Sequence, residues 1–176
     1  MFDRCWLVSS LAQRGNFAAA TEHEAEAMRL AEPTHHASTI GLAHHGGSTL
    51  HLLKGEWAKA RSLVERWIAV SRSGTVFLQL AYAVSSCAWV LAQLGKANEA
   101  EERLREGEQI LEACAAQGVV LHHGWGYESR GRACLLLGRL EEARRFGDQA
   151  IECSPSYSGY AGHAFHLLRG SSTAGR

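Results

Sequence analysis

The chain has 176 residues, with eighteen Lys and Arg against eighteen Asp and Glu and a formal charge of zero. That balance excludes a broad electrostatic pull toward nucleic acid or an anionic membrane. Two prolines, and acids that are all Glu apart from Asp3 and Asp148, point to an all-helical chain, because Glu is a good helix former and Asp is not.

No apolar run approaches the ~20 residues needed to cross a bilayer. The opening Met1–Val8 lacks a basic region, a long apolar core and a small-residue cleavage site, so it does not read as a signal peptide. Five cysteines without a Cys-x-x-Cys pair fit buried thiols in a reducing cytoplasm better than disulfides.

Residues 2–13 are predicted as a first helix carrying Phe2, Cys5, Trp6, Leu7, Leu11 and Ala12, ended by Gly15. Its partner runs from Phe17 to Ala31, with Phe17, Ala20, Ala27 and Ala31 on one face; Glu24 interrupts that face and Pro33 stops the helix. A second hairpin begins near His36 and passes Ile40, Ala43, Gly47, Leu50 and Leu53 to Gly55. Its return helix has the cleanest stripe in the chain: Trp57, Ala60, Leu63, Val64, Trp67 and Ile68. Ser71–Thr75 reads as a turn by composition.

The third hairpin covers Val76 to about Cys114. Phe77, Leu80, Ala81, Val84, Cys87, Ala88, Leu91 and Leu94 lie on its first helix, and Ala97, Ala100, Leu104, Gly107 and Leu111 on its second. The fourth spans about Val119 to Cys153, its second stripe being Leu140, Ala143, Gly147, Ala150 and Ile151, with Pro155 as the stop. A ninth helix is expected over about Tyr157 to Arg169, without a return helix, followed by a frayed tail at 171–176.

One pattern recurs at each hairpin: Gly15-Asn16-Phe17-Ala18-Ala19-Ala20, Gly55-Glu56-Trp57-Ala58-Lys59-Ala60, Gly95-Lys96-Ala97-Asn98-Glu99-Ala100 and Gly138-Arg139-Leu140-Glu141-Glu142-Ala143. The glycines lie 40, 40 and 43 residues apart, the spacing of a stacked repeat. Paired helices turning at Gly-x-bulky-x-x-Ala, with proline after the second helix, resemble the tetratricopeptide repeat over nearly the whole chain. The first-helix half of that family's pattern is mostly missing, and the period exceeds its usual 34 residues. Long arrays of this kind are similar to those at the C-terminus of bacterial adenylate or guanylate cyclase–ATPase fusions and of maltose-activator-like regulators.

The expected architecture is therefore an all-α solenoid of antiparallel hairpins, about nine helices, with repeats near 1–33, 34–73, 74–116 and 117–156 and a terminal helix at 157–169. The resemblance implies a non-catalytic protein-interaction or regulatory module, a fragment of a larger bacterial signalling protein. The alternative is a small-molecule-sensing array serving a cyclase or transcription regulator. Self-association through the terminal helices is a further expectation, since a repeat array ends in a polar cap or exposes core-like surface.

The residues point away from chemistry. His44 and His51 are seven apart, roughly 10.5 Å along a helix axis, too far to share a metal ion. His35-His36, His44-His45 and His122-His123 point to different faces, and no acid or cysteine accompanies His163 and His166. Gly46-Gly47-Ser48 sits in a helical pattern rather than at a nucleophile elbow. No phosphate-cradling glycine loop carries a lysine. Catalytic residues, metal and cofactor are accordingly expected to be absent.

What remains is surface. In the family, positions six, ten and thirteen before each glycine face a concave groove. The resemblance thereby assigns Leu42, His45 and Thr49; Tyr82, Ser85 and Trp89; and Trp125, Glu128 and Arg132 to a peptide-binding groove. Trp89 and Trp125 fall off the core stripe in this count and are the expected anchors.

Overall fold

A computed structural model describes residues 2–117 and 124–152. Among them are eight α-helices and no strand: α1 (Phe2–Gln13), α2 (Phe17–Ala31), α3 (Ala37–Lys54), α4 (Trp57–Ser73), α5 (Phe77–Gln93), α6 (Ala97–Ala116), α7 (Gly124–Leu136) and α8 (Leu140–Glu152), with a short 3₁₀ turn at Glu32–Thr34. The fold is all-α, as the Glu-rich, Pro-poor composition requires. The ninth helix at 157–169, Pro155, Cys153, His122, His123, His163 and His166 lie outside the described residues. No described helix is long and apolar enough to cross a membrane.

Four hairpin turns share one geometry. Gly15, Gly55, Gly95 and Gly138 all have φ between +71° and +76°. In each, the glycine N–H donates to the carbonyl three residues back and the next N–H to the carbonyl five back, as in Gly55 to Leu52 (3.2 Å) and Glu56 to His51 (2.9 Å). This is the paired bonding that caps a helix through one left-handed residue. The alanine five positions on, Ala20, Ala60, Ala100 or Ala143, is fully buried in every case. The glycine reverses the chain and the small side chain lets the two helices close.

The link after α4 departs from this rule. Gly74 has an ordinary φ of −90°, and the left-handed residue is Thr75 at +53°. A Cβ on Gly74 would fall 2.1 Å from that of Ala37, so close packing claims the glycine and a β-branched residue takes the strained conformation. Composition marked 71–75 as a turn, but α4 continues through Ser73.

The chain divides into two compact units, Met1–Ala83 and Val84–Arg176. In the first, α3 touches α1, α2 and α4. Such a helix has no side left for water, and all of Ile40–Leu52 except Leu42 is buried. Small residues make this possible. A Cβ on Gly46 would come within 3.0 Å of the Cys5 carbonyl oxygen, and one on Gly47 within 2.8 Å of a Glu24 oxygen. Two apolar clusters, one around Cys5, Ala27, Ala31, Ile40, Ala43 and Val70, the other around Val8, Ala12, Ala20 and Leu50, fill the space. The buried face of α1 is Cys5, Val8 and Ala12, while Trp6 and Leu7 are exposed. Phe77 is likewise outward, as is Ile151 at the end of α8.

In the second unit α7 packs against α8 and touches α6. A Cβ on Gly107 of α6 would lie 3.3 Å from Ser85 Oγ on α5, a close approach of the same type. From α8, Ala143, Phe146, Gly147 and Ala150 point inward.

Candidate functional site

A helix enclosed on three sides cannot leave polar groups unpartnered without a cost of several kcal/mol, yet α3 carries His44, His45 and His51. His51, 1% exposed, places Nε2 at 2.9 and 3.1 Å from the two Glu24 oxygens and Nδ1 at 2.6 Å from Glu56 Oε2. Ionised carboxylates only accept, so the arrangement is complete when both ring nitrogens carry hydrogen. Glu24 also lies 3.8 Å from the Lys59 ammonium. Lys54, 2.6 Å from Glu56, and then His51 hold the Glu56 carboxyl below its usual range.

The same construction repeats one layer away. His44 Nε2 is 3.3 Å from Glu32 Oε1, and Glu32 Oε2 is 3.8 Å from Arg66. His44 and His51 are seven apart on α3, Lys59 and Arg66 seven apart on α4, and Glu24 and Glu32 eight apart across α2 and the 3₁₀ turn. Each layer is thus a cation, a carboxylate and an imidazole drawn from three consecutive segments. Burial pushes the His44 ring below the ordinary histidine range, with Glu32 opposing it. Gly47 supplies the room that Glu24 occupies.

His45 faces neither carboxylate. Its ring lies 4.9 Å from that of Trp67 and 5.7 Å from that of Trp6. Burial pushes its pKa down to about 4. Its carbonyl accepts from Ser48 Oγ and Thr49 Oγ1. Trp67 in turn donates Nε1–H to Gln79 Oε1 at 3.4 Å, and Gln79 donates to Ser38.

The groove set fares differently in each unit. In Met1–Ala83, His45 and Thr49 are buried inside α3, while Leu42 and Tyr82 are half-buried. In Val84–Arg176 the structure brings Trp89, Glu128 and Arg132 together. Arg132 Nε donates to Glu128 Oε1 at 2.9 Å, and its guanidinium sits 4.7 Å from the Trp89 ring centroid. Trp125 donates to Ser86 Oγ at 3.0 Å, and neighbouring Ser85 is buried.

The expectation of solvent-facing anchors is corrected here: Trp89 is 4% and Trp125 5% exposed, and Glu128 is 1%. The reason is enclosure. Both α6 and α7 reach α5 in this unit, so the face that a count from Gly95 leaves open is a helix–helix contact. The Arg132 side chain, 29% exposed, and half-buried Leu42 and Tyr82 keep access to solvent. No family model matches the chain, and none of the curated proteins matches it.

Those contacts are structural. A ring as buried as His51, engaged at both nitrogens, has no face for a substrate. Among the described residues no three His, Cys, Asp or Glu side chains are placed to hold a metal ion. Cys5, Cys87, Cys114 and Cys134 are buried and outside any disulfide, and burial pushes the thiols of Cys5 and Cys114 up and that of Cys134 to about 11, which disfavours the nucleophilic thiolate.

On α8, Arg145 and, from α7, buried Arg130 both lie over the Phe146 ring, at 4.9 and 4.2 Å, and share Glu108 at 3.7 and 3.4 Å. Burial lowers the Arg130 pKa. Sequence reading missed both His–Glu layers; the signal was an acid on an apolar stripe opposite two histidines spaced by seven.

Proposed function

We propose that the chain is a non-catalytic interaction and regulatory module built from tetratricopeptide-like hairpins, working within a larger bacterial signalling protein in the cytoplasm. One observation carries the scaffold part of this reading: four glycine turns of one geometry, each followed after five residues by a fully buried alanine. A fold made by repeating one closure rule is a way of presenting surface, and its buried polar groups are spent on holding helices together. The signalling setting rests on the resemblance of the repeats, and the reducing compartment on four buried cysteines outside any disulfide.

The partner we favour is a peptide or protein segment bearing a carboxylate. Arg132, stacked on Trp89 and held by Glu128, is the accessible cation of the expected set. Peptides selected by display against the full chain should be enriched in Asp or Glu. Arg132→Ala should weaken them about tenfold, the equivalent of about 1.4 kcal/mol, with the melting temperature held within a few degrees. Selection of no peptide, together with thermal stabilisation by a metabolite mixture, would instead establish the small-molecule sensor. Selected peptides indifferent to Arg132→Ala would place the binding surface elsewhere.

A further inference from the structure

We propose that α6, α7 and α8 form an oxyanion site, in which Arg130 and Arg145 clasp a carboxylate or phosphoryl group in the place that Glu108 now holds. Arg130 is the floor. Its side chain is 3% exposed, on the helix against which α8 packs, and its guanidinium lies over the Phe146 ring. Arg145, from α8, lies over the same ring with its side chain 55% exposed, and so forms a wall open to solvent.

A buried cation is stable only where its donors are met. A guanidinium has five N–H donors, yet the buried Nε of Arg130 has no hydrogen-bond partner among the described residues. Both arginines pair with one oxygen of Glu108, which reaches in from α6. That Oε1 lies 3.4 Å from Arg130 and 3.7 Å from Arg145. A formed charge-assisted bond is shorter, about 2.7–2.9 Å. Other arginines of this unit reach that range or closer: Arg132 meets Glu128 at 2.9 Å, and Arg139 meets both Glu142 oxygens at 2.6 Å. Glu108 is the loose pair.

Glu108 is also the member that can leave. Its side chain is 44% exposed, and an ion pair made to a carboxylate so open to water is weakly held. Arg130, enclosed by its own unit, cannot follow it out. With Glu108 turned to solvent, two guanidinium forks remain, and each matches an oxyanion bidentately. The positive field already reaches beyond the pair: Arg139 first, and then Arg145 and Arg130, hold the Glu142 carboxyl below its usual range. This site is separate from Arg132, which lies two residues and about 200° further round α7, against Trp89.

The arginine Nε–H resonances of the full chain report on the site directly. Sodium phosphate titrated at pH 7, with ionic strength held by sodium chloride, should shift those of Arg130 and Arg145 together on one saturating curve. Sodium acetate separates the sources: saturation by phosphate alone assigns a phosphoryl ligand, and saturation by both assigns a carboxylate. Arg145→Met should weaken binding about tenfold through the loss of a charge-assisted contact. Glu108→Gln should tighten it up to about fivefold by removing the competing charge. Both changes fall on side chains about half exposed, where folding tolerates them. Arg132→Ala should leave the curves unchanged, so the two sites stand or fall separately. No saturable shift with either salt, undiminished binding in Arg145→Met, or weaker binding in Glu108→Gln would overturn the proposal.

Discussion

Replace Glu24 with Met, and the buried His51 ring keeps Glu56 but loses both oxygens at Nε2. Removing one member of a buried pair costs about 3–5 kcal/mol, because the other is left desolvated and uncompensated. Here the lower end applies, since Nδ1 still meets Glu56, whose side chain is 42% exposed. Losing Lys59, 54% exposed and 3.8 Å away, adds little, under about 1 kcal/mol. A cost near 3 kcal/mol is expected. The double variant Glu24→Met/His51→Leu replaces both polar groups with apolar ones of similar size and should recover most of it. The cycle should therefore show a coupling of at least about 2 kcal/mol. Two units need not unfold together, so the measurement is hydrogen exchange of the α2–α4 amides rather than one global melt. Glu26→Ala, which removes only the exposed pair with Arg29, is the control and should cost far less, because solvent screens that pair. A Glu24→Met cost equal to that control, or a double variant as damaged as the sum of the singles, would refute the account of the layer.

Ala60 is fully buried and Ala58 exposed. Leu at position 60 should thus destabilise by about 1–3 kcal/mol and Leu at 58 should not, as read by denaturant titration; equal effects would mean the register of α4 is wrong. Trp89→Ala should cost about 3–5 kcal/mol, since the indole is enclosed; a melting temperature within a few degrees of wild type would return Trp89 to the surface. Thr75→Gly should stabilise by about 1 kcal/mol by relieving a left-handed β-branched residue. Gly74→Ala should do the opposite, because the new Cβ has no room beside Ala37.

Helix boundaries were legible where local chemistry fixes them, at the left-handed glycines 15, 55, 95 and 138 and at Pro33 after α2, but not at the end of α4, which runs three residues into the stretch read as a turn. Faces were legible where one side of a helix meets the core, as on α4. They failed on α3 and α5, where neighbours close in on several sides and periodicity has nothing left to report. That is why the count from Gly95 put Trp89 in a groove and the structure puts it in a contact. On α1 the close approach at Gly46 admits only small residues such as Cys5, which leaves Trp6 and Leu7 exposed. Glu24 was visible as an anomaly on an apolar stripe, and its partner was not, because His51 comes from another helix.

The two His–Glu layers bear on a problem that α3 creates for itself. A helix lined by Gly41, Ala43, Gly46, Gly47 and Ser48 offers its neighbours a smooth cylinder with little relief to fix its axial position. Sliding it by one residue moves it only 1.5 Å but turns it by about 100°, which carries His44 and His51 away from Glu32 and Glu24 together. A pair of directional contacts seven residues apart therefore selects one register where shape alone would tolerate several. Buried polar groups are best attested in that role, and they need not add net stability to perform it. The Glu24→Met/His51→Leu variant separates the two contributions. If the layers specify register, the variant keeps near-native stability but its α3 amides show multiple resonances or exchange broadening. One sharp set of α3 resonances at unchanged stability would leave register to the apolar contacts and sink the argument.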